Sequence, residues 1–175
     1  MFYVVHHIIV KTALFLVAGL VARRSGSSRL SEVGGLVRTA PVIAILFAVP
    51  ALSLAGLPPF SGFLAKFTLV DAGLSANEYI GVGASLAVGL LTLYSMTKIW
   101  AGVFWGVRED EPRRPPRRDG RLGSPVAMLG STSALALASI AVSWWAGTLY
   151  DVSERAANDL LERDGYVDVV LEAQP

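Results

Sequence analysis

Residues 41–70, PVIAILFAVPALSLAGLPPFSGFLAKFTLV, hold a single charge, Lys66, and no acid. As one continuous helix this run would be roughly 45 Å long at about 1.5 Å per residue, against a hydrocarbon core of about 30 Å. It is too long for one straight crossing. In a chain that is 53% hydrophobic and only 17% charged, with a mean hydropathy of +0.53, it also cannot be the surface of an ordinary soluble globule. The sequence therefore reads as an integral membrane protein, all-α. The run is either two short spans or one span broken in the middle, and GLPPFSG, residues 56–62, is where a break would fall.

Loop charge decides between the two. Residues 1–22 are long and apolar enough to cross once, and RRSGSSRLSEVGGLVR follows with four arginines and one glutamate. After the long run comes DAGLSANEY, with two acids and no base; then a span over about 81–106 and the segment VREDEPRRPPRRDGRL, with six arginines. A last uncharged span over about 125–150 precedes an acidic tail, 151–175. A single crossing by 41–70 places both arginine-rich loops on one face and the acidic segments on the other, as the positive-inside rule requires. Two crossings would split the basic loops. The expectation is thus four transmembrane helices in a membrane domain over 1–150, the second discontinuous, with both chain ends outward and 151–175 an extramembrane tail able to form a short amphipathic helix. The Pro/Arg segment at 107–122 reads as a cytoplasmic connector, since its four acids dilute its charge, and no nucleic-acid partner is implied.

All twelve arginines lie outside the apolar runs, whereas Lys11, Lys66 and Lys98 all lie inside them. An intramembrane cation is expensive and marks a pathway or a partner by default. Lys98 stands near the cytoplasmic end of its span, where its stem can snorkel to water, and is a weaker candidate. Lys11 sits mid-span with His7 one helical turn before it on the same face, a spacing that suits a proton relay or a structural hydrogen-bonded pair. His6 points about 100° away from His7 and is weighed as a packing histidine or a weak relay candidate.

Lys66 follows the break directly. A buried ammonium costs several kcal/mol unless it is solvated, paired or gives up its proton, so it can load and unload one. Pro58 and Pro59 remove backbone donors, and Gly56 and Gly62 relax the chain, which leaves carbonyls free for water or for the cation itself. The alternative is a proline kink with a snorkelling lysine. With no cysteine there is no disulfide or thiolate metal site. No phosphate-cradling loop, nucleophile triad or haem pair is present, and no cofactor or metal is expected. The histidines and Lys11 inside the first apolar run also differ from a cleavable signal, which keeps its charge ahead of that run.

The stretches HHIIVKTALFLVAGL, LSEVGGL and LSLAGLPPFSGFLAKFTLV resemble the antiporter-like membrane subunits shared by multisubunit (Mrp-type) cation/proton antiporters and complex I, the proton-pumping NADH:quinone oxidoreductase. SMTKIWAGVFWG and ERAANDLLERDGYVDVVL favour the C-terminal part of the D-type subunit of the Mrp antiporters. The resemblance implies inverted repeats, each with a discontinuous helix, with the spans here corresponding to the last four of the family's helices. It implies further that Lys66 matches the lysine ending a proton route in the second broken helix, and that His7 and Lys11 match the polar pair feeding it.

The family's first repeat, with its glutamate and its own broken-helix lysine, has no counterpart in these residues. The resemblance thus implies a proton-translocating subunit of a sodium/proton antiporter in the cell membrane, not an enzyme, acting with its missing half and partner subunits in the lipid bilayer. The alternatives are a subunit of complex I or of a membrane-bound hydrogenase, and a non-conducting truncated remnant.

Overall fold

The computed structural model describes residues 2–106 and 125–161, and every regular element among them is helical. The order is α1 (Phe2–Ser25), a 3-10 turn (Leu30–Glu32), α2 (Leu36–Thr39), α3 (Pro41–Ala55), α4 (Ser61–Ser75), α5 (Tyr79–Trp100) running into a π-helical turn (Ala101–Trp105), α6 (Pro125–Trp144) and α7 (Ala146–Leu161). Three stretches, Phe2–Ser25, Tyr79–Trp105 and Val126–Trp144, are long and apolar enough to cross a membrane, and Pro41–Ala55 is a shorter apolar helix. The Pro/Arg segment and the tail from residue 162 lie outside the described residues.

The central helix is α1. Its buried positions Phe2, His6, Val10, Ala13, Val17 and Leu20 recur every three or four residues, forming one stripe along the helix. That stripe packs on α3, α4 and α6. α6 meets it with small residues: Thr132, Ala136 and Ser139 are buried at helical spacing, and such residues let backbones approach closely where lipid supplies no hydrophobic drive. α1 ends after Arg23 and Arg24, cations that suit the negative end of a helix. Ser25 closes it by donating to the Val21 carbonyl at 2.8 Å.

The run 41–70 forms two helices, α3 and α4, interrupted at residues 56–60 within the expected GLPPFSG break. Pro41 starts α3 where a missing N–H costs nothing. Gly56 stops it with φ 84°, a left-handed conformation in which a Cβ is strained. The stop is a Schellman motif: Leu57 N–H donates to the Leu52 carbonyl at 3.2 Å and Gly56 N–H to the Ser53 carbonyl at 3.0 Å. Pro58 and Pro59, joined by a cis peptide, keep the chain out of helix until Phe60, and α4 begins at Ser61. α4 runs past Val70 to Ser75, so Asp71, expected in the following loop, lies on its last turns with its side chain exposed.

Two apolar clusters flank this break. The larger gathers Val17, Val33, Leu36, Phe47, Ala51, Val103, Phe104 and Ala136, with Phe104 stacked on Trp100 at 4.7 Å between ring centres and tilted on Phe47 at 5.1 Å. The smaller gathers Phe2, Ala65 and Ala146. Along α1, His6 falls between Phe2 of one cluster and Val17 of the other. Beyond Trp145 the chain continues as α7, whose apolar and polar residues fall on opposite sides. It begins at Ala146, a few residues before the expected edge of the tail.

Candidate functional site

The site is built where α3 stops. A helix ends with unpaired carbonyls and a partial negative charge, and the Schellman motif spends only two of those carbonyls on backbone donors. The Ala55 carbonyl takes a different donor: the Lys66 amine, one turn into α4, reaches back across the break and donates to it at 2.8 Å. The lysine thereby closes the C-terminal end of the preceding half-helix.

Two glycines make room for it. A Cβ on Gly56 would lie 2.7 Å from Lys66 Cδ and 3.2 Å from Nζ, and a Cβ on Gly89 of α5 would lie 3.3 Å from Nζ. Gly62, the other sequence-identified hinge residue, works by contact: a Cβ there would fall on the Ser53 carbonyl. Pro58 and Pro59 are exposed, at the rim of the break.

Behind the amine lies a buried polar layer. His6 Nδ1 and Ser61 Oγ are hydrogen-bonded at 2.8 Å, Ser61 Oγ and Ser53 Oγ at 3.1 Å, and Ser61 Oγ donates to the Ser139 carbonyl at 3.4 Å. Gly62 N–H, one of the unpaired donors of α4's first turn, is met by Ser53 Oγ at 3.4 Å. Each of the four residues is at most 2% exposed, and they come from α1, α3, α4 and α6.

His7 and Lys11 lie off the buried stripe of α1. His7 stacks on Tyr3 with ring centres 5.5 Å apart, and its enclosed Nδ1 has no hydrogen-bond partner among the described residues. Lys11 lines an apolar groove of about 390 Å³ whose walls include Leu14, Val17, Phe47, Met96 and Phe104, with Arg29 at another edge. Lys66 lies within electrostatic reach of both histidines, and Lys11 within reach of His7. Lys98, on the last turn of α5, is exposed. The structure thus brings Lys66 and His6 to one break, with His7 in the field of Lys66 and an exposed Lys11 in turn near His7, and leaves Lys98 exposed at the end of α5. Ser53, Ser61, Ser139 and Gly89 are additions that sequence reasoning missed. Ser61 stands inside the break motif, and a serine in an otherwise apolar run is the available signal; Gly89 and Ser139 give none, because their role depends on which helices pack together.

Chemically, the arrangement offers an amine that can hold or release a proton, imidazole nitrogens within its field, and a helix end that favours a cation. This bundle of apolar helices with an interrupted second span is the antiporter-like membrane fold. A solved structure of the Mrp complex from Dietzia sp. DQ12-45-1b matches it with a TM-score of 0.80 at 32% identity, over 97% of this chain and 39% of the matched chain.

Residues 1–92 match the family described as NADH:quinone oxidoreductase/Mrp antiporter, TM, and the chain belongs to that family. Among its relatives are the D-type subunit of the Na(+)/H(+) antiporter of Alkalihalophilus pseudofirmus OF4, 39% identical over 170 residues, and that of Bacillus subtilis strain 168, 32% identical over 170 residues. Each alignment takes in 97% of this chain and 33% of the relative, so the chain spans about a third of the length of the curated relatives it matches.

Proposed function

We propose that the chain supplies the C-terminal part of a proton-translocating subunit in a multisubunit sodium/proton antiporter of the cell membrane. In this reading Lys66 is the gated proton carrier. His7 and Lys11 are the relay that feeds it, residues 56–62 are the hinge, and the helices after the break carry the proton route toward one face. Residues 1–150 are the membrane domain and 151–175 an extramembrane tail, with the arginine-rich loops on the cytoplasmic face. The remaining helices and partner subunits complete the path and carry the cation.

One observation supports this reading above the others: the Lys66 amine rests on the Ala55 carbonyl at the open end of a broken helix, between two glycines. A snorkelling lysine would instead extend away from the break toward the headgroups. The relatives named as Na(+)/H(+) antiporter subunits favour an antiporter over a redox-driven pump within the same family. The test is Lys66→Ala in the assembled complex, reconstituted into vesicles. Loss of a positioned proton-transfer group is expected to slow cation-driven proton movement by about a hundredfold or more, with assembly intact. A wild-type exchange rate removes the lysine from the mechanism.

A further inference from the structure

The buried layer of His6, Ser53, Ser61 and Ser139 has no part in the proton route just described. It nonetheless ties four helices together beside the break. His6 of α1, Ser53 of α3, Ser61 of α4 and Ser139 of α6 meet at Ser61 Oγ, with heavy-atom distances of 2.8, 3.1 and 3.4 Å. Ser61 is the first residue of α4, and Lys66 follows it by five positions on the same helix. Whatever fixes Ser61 therefore fixes where the lysine starts from.

A proton count shows why His6 commands this node. Ser61 has one hydroxyl proton and three partners. If His6 Nδ1 accepts that proton, none is left for the Ser139 carbonyl, which then keeps the Ser143 hydroxyl, at 3.2 Å, as its side-chain donor. If Nδ1 carries a proton and donates to Ser61, the Ser61 proton is released toward Ser139 of α6 or toward Ser53 of α3. The state of one imidazole thus decides whether the Ser61 proton is spent on α1 or is available to α6 and α3. Among the described residues, the titratable groups facing His6 are His7 and Tyr3 on its own helix and Lys66 on α4; α3 and α6 carry no ionisable side chain at all.

We propose that His6 is a positioning residue for the Lys66 site. It is a latch that acts through Ser61 to seat the start of α4 against α3 and α6, and it need not carry a transported proton itself. The proposal rests on the reading of Lys66 as the working amine, but the latch is a statement about the break and can be tested without transport.

The experiment compares His6→Leu, His6→Asn, Ser61→Ala and the double variant His6→Leu/Ser61→Ala in the assembled complex. Asparagine places an amide atom, donor or acceptor, where Nδ1 stands, and does not titrate. The first readout is backbone hydrogen–deuterium exchange over residues 56–66, which includes the Gly62 amide bonded to Ser53. Losing one buried hydrogen bond is expected to raise exchange there about fivefold in His6→Leu and Ser61→Ala, and no further in the double variant. His6→Asn stays within about twofold of wild type.

The second readout is cation/proton exchange per assembled complex across pH. It is expected to fall about tenfold in His6→Leu with half-saturating cation concentration unchanged, and to keep its wild-type rate and pH profile in His6→Asn. An Asn variant as slow as the Leu variant overturns the latch in favour of a proton carried on His6. Unchanged deuterium exchange in Ser61→Ala overturns it outright, and this one-atom deletion decides the matter even where His6→Leu fails to assemble. Should wild-type vesicles show no cation exchange, the antiport reading fails while the deuterium result still judges the latch.

Discussion

Lys66 and Ala55 stand eleven residues apart on opposite sides of the helix break, yet the amine of one donates to the carbonyl of the other at 2.8 Å. The bond joins a positive group to the negative end of α3, so it is held by the helix dipole as well as by hydrogen bonding. It also depends on empty space. Gly56 and Gly89 leave a slot on two sides of the lysine stem, and the way this slot and its neighbours are built can be tested at each of them.

Gly89→Ala separates helix stability from function. In the middle of α5 an alanine stabilises helix by about 1 kcal/mol relative to glycine. The new methyl would stand 3.3 Å from Lys66 Nζ, tighter than ordinary contact, and would crowd the amine in its seat. The variant is expected to unfold in detergent at or above the wild-type temperature while exchanging protons roughly 10- to 100-fold more slowly, the range that small misplacements produce. Equal exchange rates would show that the slot has slack.

The three lysines should not be equivalent. Lys11 and Lys98 are both exposed, but Lys11 lies within electrostatic reach of His7, whereas Lys98 stands on the last turn of α5. Replacing Lys11 by alanine is expected to reduce exchange by about a hundredfold, the lower end of what positioned proton-transfer groups contribute. Lys98→Ala should remain within about twofold, as for a charge at a helix end whose stem reaches water. Rates in vesicles at matched complex density measure both; an effect at Lys98 as large as at Lys11 would remove the distinction between relay and snorkel.

Gly62 tests the closeness of the two half-helices. Its Cβ would fall on the Ser53 carbonyl, backbone that cannot turn aside, so Gly62→Ala must spread α4 from α3. The expected cost is about 1–3 kcal/mol, seen as a lower unfolding temperature or reduced assembly. Gly130→Ala in α6, where nothing lies within 4 Å, is the control and should be neutral or slightly stabilising.

Much of this architecture is legible in the chain itself. The break follows from length: residues 41–70 are too long for one rod, and they form two helices. Gly56, Pro58 and Pro59 then stop α3 by local chemistry, which sequence displays directly. The boundaries are less visible. α4 continues to Ser75 with Asp71 at an exposed position, and its stop uses Asn77 at φ 58° instead of a glycine or proline.

The site is legible in part. An amine in an apolar run declares itself, since few environments tolerate it. Ser53, Ser61 and Ser139 are individually ordinary, and only the crossing of four helices makes them a unit. His6 shows the same limit. The angle between His6 and His7 on a helical wheel separates their faces, but which face meets the break depends on how α1 packs.

The amine that closes the end of α3 is borrowed from α4, so the nitrogen proposed to carry the proton also serves as a buckle between the half-helices. A charge-assisted hydrogen bond is roughly twice as strong as a neutral one, and an amine without its proton therefore grips the Ala55 carbonyl less firmly. Reciprocity then applies: any neighbour that pries the two half-helices apart changes how tightly the proton is held, and any change in protonation alters the stiffness of the joint. Chemistry and mechanics at this spot share a single coordinate.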